Sequence, residues 1–540
     1  MIPLALLYAL SVKLALVLAL SSLKLQGPPT LPSDASHLLN PALASFSIET
    51  AFFEEFFGNA SAPNRLSLSL LENLKARTGV PAEIRIGGIT ADSTYWNASQ
   101  SAALSNFIDS AGALHNTTIG PQFWKSVGLL PHGTKITMTL DLHDLNYEDA
   151  LLMAKATFEG LVPGQLFAFE IGNEPDQYQV PFTPQSYTAV WATWAKNIST
   201  ALGIKSPEFQ LGATVIDPIW PYDTPGASSA LDCVSALAAG ADNGHVAKTC
   251  SEHTYQYSVC DPARTAVATL PNLVNHTRLA EYLDLWQPRI GAVRQQLGDD
   301  AFVIGEYNSV SCSGKDGVSN TFGQALWLLD TILYATSINV SRLYMHQGGP
   351  LALQSSTQLN HGGLSFYDMW HPVQNQNGPI QVFPSYSTYL FVGEVLGHST
   401  SLKIANLYPG RQANGSSITT ALGDQSAGQL VAYGFWDTSQ PSSHSFPTKF
   451  ALLNLQIFNQ TQSGPRPKVE FDISAFRRDQ HRPIKIRRLQ APGADVKLSN
   501  LTTWAGQSYF SGVATGDLKE EKQQSSIIAV QASEAALVFL

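Results

Sequence analysis

Eight short apolar runs at the spacing of βα units, helical periodicity between most of them, and a helix-free tail after about Val395 predict an α/β chain: a (β/α)8 TIM barrel followed by a C-terminal all-β sandwich. A doubly wound open sheet is the competing fold. The sequence holds neither a GxGxxG fingerprint nor a Walker loop to support it.

Residues 1–20 are almost wholly apolar, broken only by Lys13, and polar residues and then Gly27-Pro28-Pro29 follow. This pattern predicts a secretory signal over residues 1–24, with an uncleaved signal anchor as the alternative. Residues 25–45 are expected to contribute to the β-domain, with Leu31–Ser45 adding a strand. The barrel is expected over 46–395. Its strand-like runs are Phe46–Phe53, Glu83–Gly88, Lys135–Leu142, Leu166–Asn173, Phe209–Val215, Glu252–Ser258, Phe302–Asn308 and Arg342–Gln347. Helical spacing marks Leu66–Arg77, Tyr187–Leu202 and Leu279–Leu297. Over 396–540 short alternating segments separated by Gly, Pro and Ser clusters read as a sandwich: Gln429–Trp436, Lys449–Phe458, Lys468–Ile473, Ile484–Leu489 and Ser525–Leu540.

Of the 540 residues only 14% are charged, against about a quarter in ordinary soluble domains, and 44% are hydrophobic. Disorder, collagen, coiled coil and a disulfide scaffold are excluded. A formal charge of −10 argues against nucleic acid or an anionic membrane as partner. Solubility can come instead from glycans on the N-x-[ST] acceptors Asn59, Asn97, Asn116, Asn197, Asn275, Asn339, Asn414, Asn459 and Asn500. Four cysteines permit three pairings, and their spacing is not that of a zinc site. Three of them fall within Cys233 to Cys260, which suits a bridged excursion there, while the pairing itself stays open. The reading is a secreted glycoprotein, free of the membrane once its signal is cleaved.

In a barrel of this kind the working groups project from the C-terminal ends of strands. Strand four delivers Glu174 in LFAFEIGNEPD, and strand seven delivers Glu306 in FVIGEYN. Two carboxylates facing each other across the mouth suit glycoside hydrolysis, in which one protonates the leaving oxygen and the other attacks or activates water. Glu170 lies deeper on strand four and reads as structural. Arg85, between two isoleucines on strand two, needs a buried partner, either an active-site carboxylate or a purely structural one.

FEIGNEPD followed by a strand-borne GEYNS resembles the clan A retaining glycosidases. With IRIGG at 84–88, HTYQY at 253–257 and PSYSTYLFVGEVLG at 384–397, the chain is similar to glycoside hydrolase family 79, the β-glucuronidases and heparanases. The resemblance implies Glu174 as acid/base and Glu306 as nucleophile, with Tyr255 reaching toward the nucleophile and Asn173 toward the sugar 2-hydroxyl. It implies that backbone N–H groups of Cys312 and Ser313, with Tyr386, bind a glucuronate carboxylate. Two departures stand out. Ser311-Cys312-Ser313-Gly314 replaces a glycine run, and Ile89 replaces a polar residue after IRIGG, leaving Glu49 as the candidate for the 3- and 4-hydroxyls.

No cofactor or metal is implied, and a monomer is expected. The basic residues Arg477, Arg478, Arg482, Lys485, Arg487 and Arg488 read as a solvated strand and turn, with an acidic-polysaccharide site as the sharper alternative. The barrel itself is not basic, which favours an exo-acting β-glucuronidase over an endo-acting, heparanase-like enzyme. A clan A glycosidase for neutral sugars and a glycan-binding barrel are the remaining alternatives.

Overall fold

The computed structural model describes residues 22–110, 113–215, 231–348, 365–374, 379–410, 429–439 and 446–540. Eight parallel strands close into a barrel in chain order: Ala44–Glu49, Ile84–Gly87, Ile136–Leu140, Leu166–Ile171, Phe209–Thr214, Ala247–Ser258, Phe302–Ser311 and Arg342–Gln347, with the last pairing back onto the first. Each overlaps one of the eight apolar runs, although the first strand ends at Glu49 and the sixth begins at Ala247. Alternate side chains explain why. Phe46, Ile48, Ile84, Ile86, Ile136 and Met138 join the apolar layer shared with the surrounding helices. Ser47, Arg85, Thr139, Glu170, Gln210 and Thr249 turn the other way and hydrogen-bond to one another across the barrel. The barrel interior is therefore a polar network instead of the usual layers of Val, Ile and Leu.

The helix Arg65–Thr78 starts on the Asn64 side chain, which accepts from Ser67 N, and stops at Gly79 in the left-handed region at φ +75°. The helix Pro184–Leu202 buries Tyr187, Trp191 and Trp194. The periodic stretch Leu279–Leu297 proves to be two helices, His276–Asp284 and Gln287–Leu297. Pro288 falls in the first turn of the second, where its missing N–H costs nothing. A small sheet of Thr94–Trp96, Leu104–Ile108 and Leu114–Ile119 is inserted between barrel strands two and three.

The β-domain is a sandwich. A seven-stranded sheet contains Leu402–Tyr408, Leu430–Asp437, Lys449–Asn454, Glu534–Phe539 and Ile484–Gln490, extended by two shorter strands. A three-stranded sheet of Ser22–Lys24, Lys468–Asp472 and Ile527–Gln531 covers it. Phe450, Leu452, Phe471, Phe476, Val530 and Val538 form the core between them. The opposite face of the larger sheet packs on the barrel helices, with the Trp504 ring centre 4.8 Å from that of Phe391 at a 52° tilt.

Three expectations change. The N-terminal strand is Ser22–Lys24, parallel to Lys468–Asp472, and not Leu31–Ser45. The latter segment instead bonds along the edge of Leu402–Tyr408, Ser36 N donating to Ile404 O and Leu39 N to Leu402 O. The apolar leader falls in residues 1–21, outside the described residues, whereas residues 22–24 are strand. The disulfides are Cys233–Cys250 and Cys260–Cys312. Cys250 and Cys260 stand at opposite ends of barrel strand six, about 33 Å apart at strand rise. The helix Cys233–Ala238 packs at the Cys250 end, its first N–H donating to Glu252 Oε1 at 3.2 Å, so Cys233 cannot reach Cys260.

The acceptor asparagines are also unequal. Asn97, Asn197 and Asn500 are exposed, Asn414 lies outside the described residues, and Asn275 is buried, its side chain capping the helix His276–Asp284. When the protein is produced through a eukaryotic secretory pathway, glycopeptide mass spectrometry should find the three exposed sites modified and Asn275 bare.

Candidate active site

The site is built from the barrel floor upward. The Arg85 side chain is fully buried and divides its donors among four residues. Nε donates to Glu170 Oε1 at 2.8 Å, Nη1 to Ser47 Oγ at 2.9 Å and to Glu306 Oε2 at 2.8 Å, and Nη2 to Asn173 Oδ1 at 2.8 Å. Both partnerships considered for Arg85, the structural and the active-site carboxylate, are present at once. Burial alone would weaken its hold on a proton, but Glu170 and Glu306 reverse this and raise the guanidinium above its ordinary value. Glu170 is fixed further by Thr139 Oγ1 at 2.8 Å and Gln210 Nε2 at 2.5 Å. The IRIGG motif fits this floor closely. A Cβ at Gly87 would come 2.7 Å from Arg85 Cζ, and one at Gly88, at φ +81°, would come 2.1 Å from Glu49 Oε2.

Glu306 sits above Arg85. Tyr255 Oη donates to its Oε1 at 2.7 Å, while His346 Nδ1 lies 3.6 Å and His253 Nδ1 3.9 Å from its Oε2. Burial would raise its pKa, but His346, His253, Arg85 and the Tyr255 hydrogen bond overcome that and hold it down at about 2. His346, which also faces Glu49 Oε2 at 3.2 Å, moves the opposite way. Burial would lower it, but Glu306 and Glu49 raise it.

Glu174 lies just past strand four in the left-handed region at φ +51°, and its N–H donates at 2.8 Å to Ala213 O, whose own residue has φ +56°. Non-glycine residues adopt this conformation at a cost of about 1–2 kcal/mol each. The paired distortion aims the carboxylate at the barrel axis. There His253 Nδ1 meets Glu174 Oε1 at 2.9 Å. One oxygen of Glu174, one of Glu306 and a ring nitrogen of His253 all fall within 4.8 Å of one another. This trio has the ligand types to hold a metal ion, but both Glu306 oxygens already accept from Arg85 or Tyr255, which suits a carboxylate poised for reaction better than a closed metal shell.

A cavity of about 340 Å³ opens over these groups. It brings together Asn173, Glu174, Tyr255, Glu306, Cys312, Ser313 and Glu49 from the sequence-predicted set. Because Asn173 Oδ1 accepts from Arg85, its NH2 is the group it can offer a ligand. Glu49 spends Oε1 on Thr90 N and Oγ1, both at 2.5 Å. Cys312 and Ser313 are left-handed at φ +63° and +74°. Ile89, 60% exposed, stands at the rim. A second cavity of about 320 Å³ shares Ile89, Asn173, Glu174 and Gln177 and runs on toward His143 and Tyr178.

Tyr386 must be corrected. Its hydroxyl donates to Leu70 O at 2.8 Å on the helical side of the barrel, so it packs two helices together and does not line the cavity. Beside Tyr255, the cavity wall carries Tyr367. His253, His346 and Arg264 were also missed. His253 could have been found from Tyr255, since residues two apart on a strand share a face. The basic cluster is largely consumed by ion pairs, Arg487 with Glu394 and Glu520, Lys485 with Glu520 and Arg488 with Glu521 and Glu534, while Arg478 and Arg482 are exposed.

A (β/α)8 barrel with two facing carboxylates, one just past strand four and one on strand seven, defines a glycoside hydrolase. Residues 432–537 match the glycosyl hydrolase family 79 C-terminal beta domain. A β-glucuronidase of Aspergillus niger is 28% identical over 513 residues, spanning 90% of this chain and 86% of its own length. One of Neurospora crassa is 27% identical over 512 residues, spanning 87% and 84%. The solved structure of a 4-O-α-L-rhamnosyl-β-D-glucuronidase from Fusarium oxysporum shares the fold, with a TM-score of 0.74 at 23% identity over 96% of this chain and 100% of its own. Within its class, the chain is similar to the family 79 glycoside hydrolases, whose C-terminal beta domain its residues 432–537 match.

Two outcomes follow from the charge network. Arg85→Met should destabilise the fold by about 3–5 kcal/mol in urea titration, because it strands Glu170 and Glu306 in the interior. The pH dependence has two limbs. Glu306 is depressed in the fold, so its contribution is whole above about pH 4.3 and lost as pH falls toward the folded value. His346 is raised, so its contribution is whole below about pH 6.5 and lost as pH rises through the folded value. The melting temperature should fall on both sides, and His346→Gln should flatten the alkaline limb.

Proposed function

We propose that the chain is an exo-acting β-glucuronidase that hydrolyses with retention of anomeric configuration. The observation that carries the reading is the approach of Glu174 and Glu306 oxygens to within 4.8 Å, with Glu306 held ionised. Retaining enzymes keep their carboxyl groups about 5–5.5 Å apart, whereas inverting ones need about 6.5–9.5 Å to seat a water. In the first step Glu306 attacks the anomeric carbon while Glu174 gives its proton to the leaving oxygen. In the second, Glu174 takes a proton from water, which displaces Glu306. Tyr255 orients the nucleophile and Asn173 meets the 2-hydroxyl, a contact that tightens as the oxocarbenium-like transition state forms. His253 stands between the two carboxylates, its Nδ1 2.9 Å from Glu174 Oε1 and 3.9 Å from Glu306 Oε2.

The sugar carboxylate is assigned to the Cys312–Ser313 backbone and Tyr367. Glucuronide as substrate draws support from the two relatives, both of which are named β-glucuronidases. Lys485, Arg487 and Arg488 of the β-domain cluster are held in ion pairs, which supports exo over endo action. Secretion is supported by the two disulfides and the apolar leader, removed ahead of Ser22 so that the strand Ser22–Lys24 is kept. Among the described residues no helix is long and apolar enough to cross a membrane.

The test is p-nitrophenyl β-D-glucuronide against the corresponding glucoside, with the first-formed anomer followed by proton NMR. Faster glucoside turnover, or release of the α-anomer, would overturn the reading. Glu306→Gln should abolish turnover while leaving the melting curve cooperative. Glu174→Ala should lower the rate on poor leaving groups by about 10²–10⁴-fold and be rescued by azide on activated ones.

A further inference from the structure

We propose that the Cys260–Cys312 disulfide is a positioning element for the sugar carboxylate, holding the cavity wall at residues 311–313 in the shape that receives it. This rests on the uronide reading above.

The backbone supplies the first argument. Strands six and seven pair as far as Ser258 beside Ser311, and Val259 N then donates to Ser311 O at 3.3 Å. Past that rung the first chain enters the helix Pro262–Val267. The second takes three successive left-handed residues, Cys312 at φ +63°, Ser313 at +74° and Gly314 at +81°. Glycine alone adopts that region freely, so Cys312 and Ser313 must be held there by their surroundings. Gly314 N donates to Val310 O at 3.1 Å, and Phe366 N donates to Ser313 O at 2.8 Å. The bridge adds a covalent tie where the turn begins. Lys315 Nζ, donating to Thr265 O at 3.0 Å, ties its far side to the same helix.

Position supplies the second. Ser311, Cys312 and Ser313 line the cavity together with Tyr255, Glu306 and Tyr367. Tyr367 directly follows Phe366, whose N–H holds Ser313, so the bridge bears on both groups to which the sugar carboxylate is assigned. Hydrogen bonds to a carboxylate weaken steeply as distance and angle leave their optimum, so a small shift of this wall is felt in binding. The two disulfides also differ in place. Cys233 and Cys250 are fully buried, and neither lines the cavity. Cys260 is exposed and Cys312 half-buried, so a reductant added to the folded protein meets this bridge first.

The experiment treats the folded wild type with a trialkylphosphine, identifies the opened bridge by thiol alkylation and peptide mass spectrometry, and follows p-nitrophenyl β-D-glucuronide, its uncharged glucuronamide and the β-D-glucoside. Opening Cys260–Cys312 should cut kcat/KM on the glucuronide by about 10-fold, chiefly through KM, while the two uncharged substrates change little. Reoxidation should restore it. Cys260→Ala/Cys312→Ala should behave as the reduced protein, and Cys260→Ala/Cys312→Gly should recover part of the preference, because glycine takes the left-handed backbone without help. Cys233→Ala/Cys250→Ala should melt earlier with its preference for glucuronide intact. An unchanged preference once the bridge is open, or an equal fall on all three substrates, would overturn the proposal. So would loss of the cooperative melt in both the reduced protein and the variants, since the bridge would then serve global stability. A wild type that ignores glucuronides would sink the uronide reading itself, an outcome separate from failure of the bridge to matter.

Discussion

One buried guanidinium ties the site to the fold. Arg85 reaches strand one through Ser47, strand four through Glu170, the segment beyond it through Asn173, and strand seven through Glu306. Desolvating so many charges is costly, and a barrel filled with aliphatic side chains would be the more stable object. What the polar interior provides is position. The nucleophile cannot shift without breaking a bond to the barrel floor, and the floor cannot relax without moving three strands. Its low pKa and its location thus share one cause, which is why the fold tolerates a carboxylate at this depth.

The sequence made the strands legible because their outward residues are apolar and spaced by two, while the inward ones are small enough in number not to disturb the pattern. Glu174 and Glu306 stood out for the same reason, as charges closing apolar runs. His253 and His346 did not, since a histidine on a strand announces no partner, and both acquire their roles only from carboxylates on other strands. Tyr386 was misjudged because a tyrosine at a helix start can point either way along the barrel wall. Packing against Leu70 decided it, a contact across more than half the chain. Ser22–Lys24 escaped notice because a three-residue strand beside an apolar leader has no period of its own, and the disulfide pairing depended on which end of a long strand each helix meets.

The small number of charges takes on a different meaning in the structure. Many of them are not at the surface at all. They are committed inside the barrel, in the His276–Asp330–Tyr433 contact beneath the β-domain, and in the arginine pairs of its larger sheet. Part of the small charge complement thus organises the interior and the domain junction.

The strand Ser22–Lys24 leaves the ribosome first among the described strands, yet its partner Lys468–Asp472 emerges only after the whole barrel has been made. At ordinary translation rates that is an interval on the order of tens of seconds. The barrel can close within that time, whereas the sandwich must wait, its first strand unpaired until the last part of the chain appears. Assembly of this molecule is therefore ordered by synthesis, with the catalytic half completed before the half that its beginning belongs to.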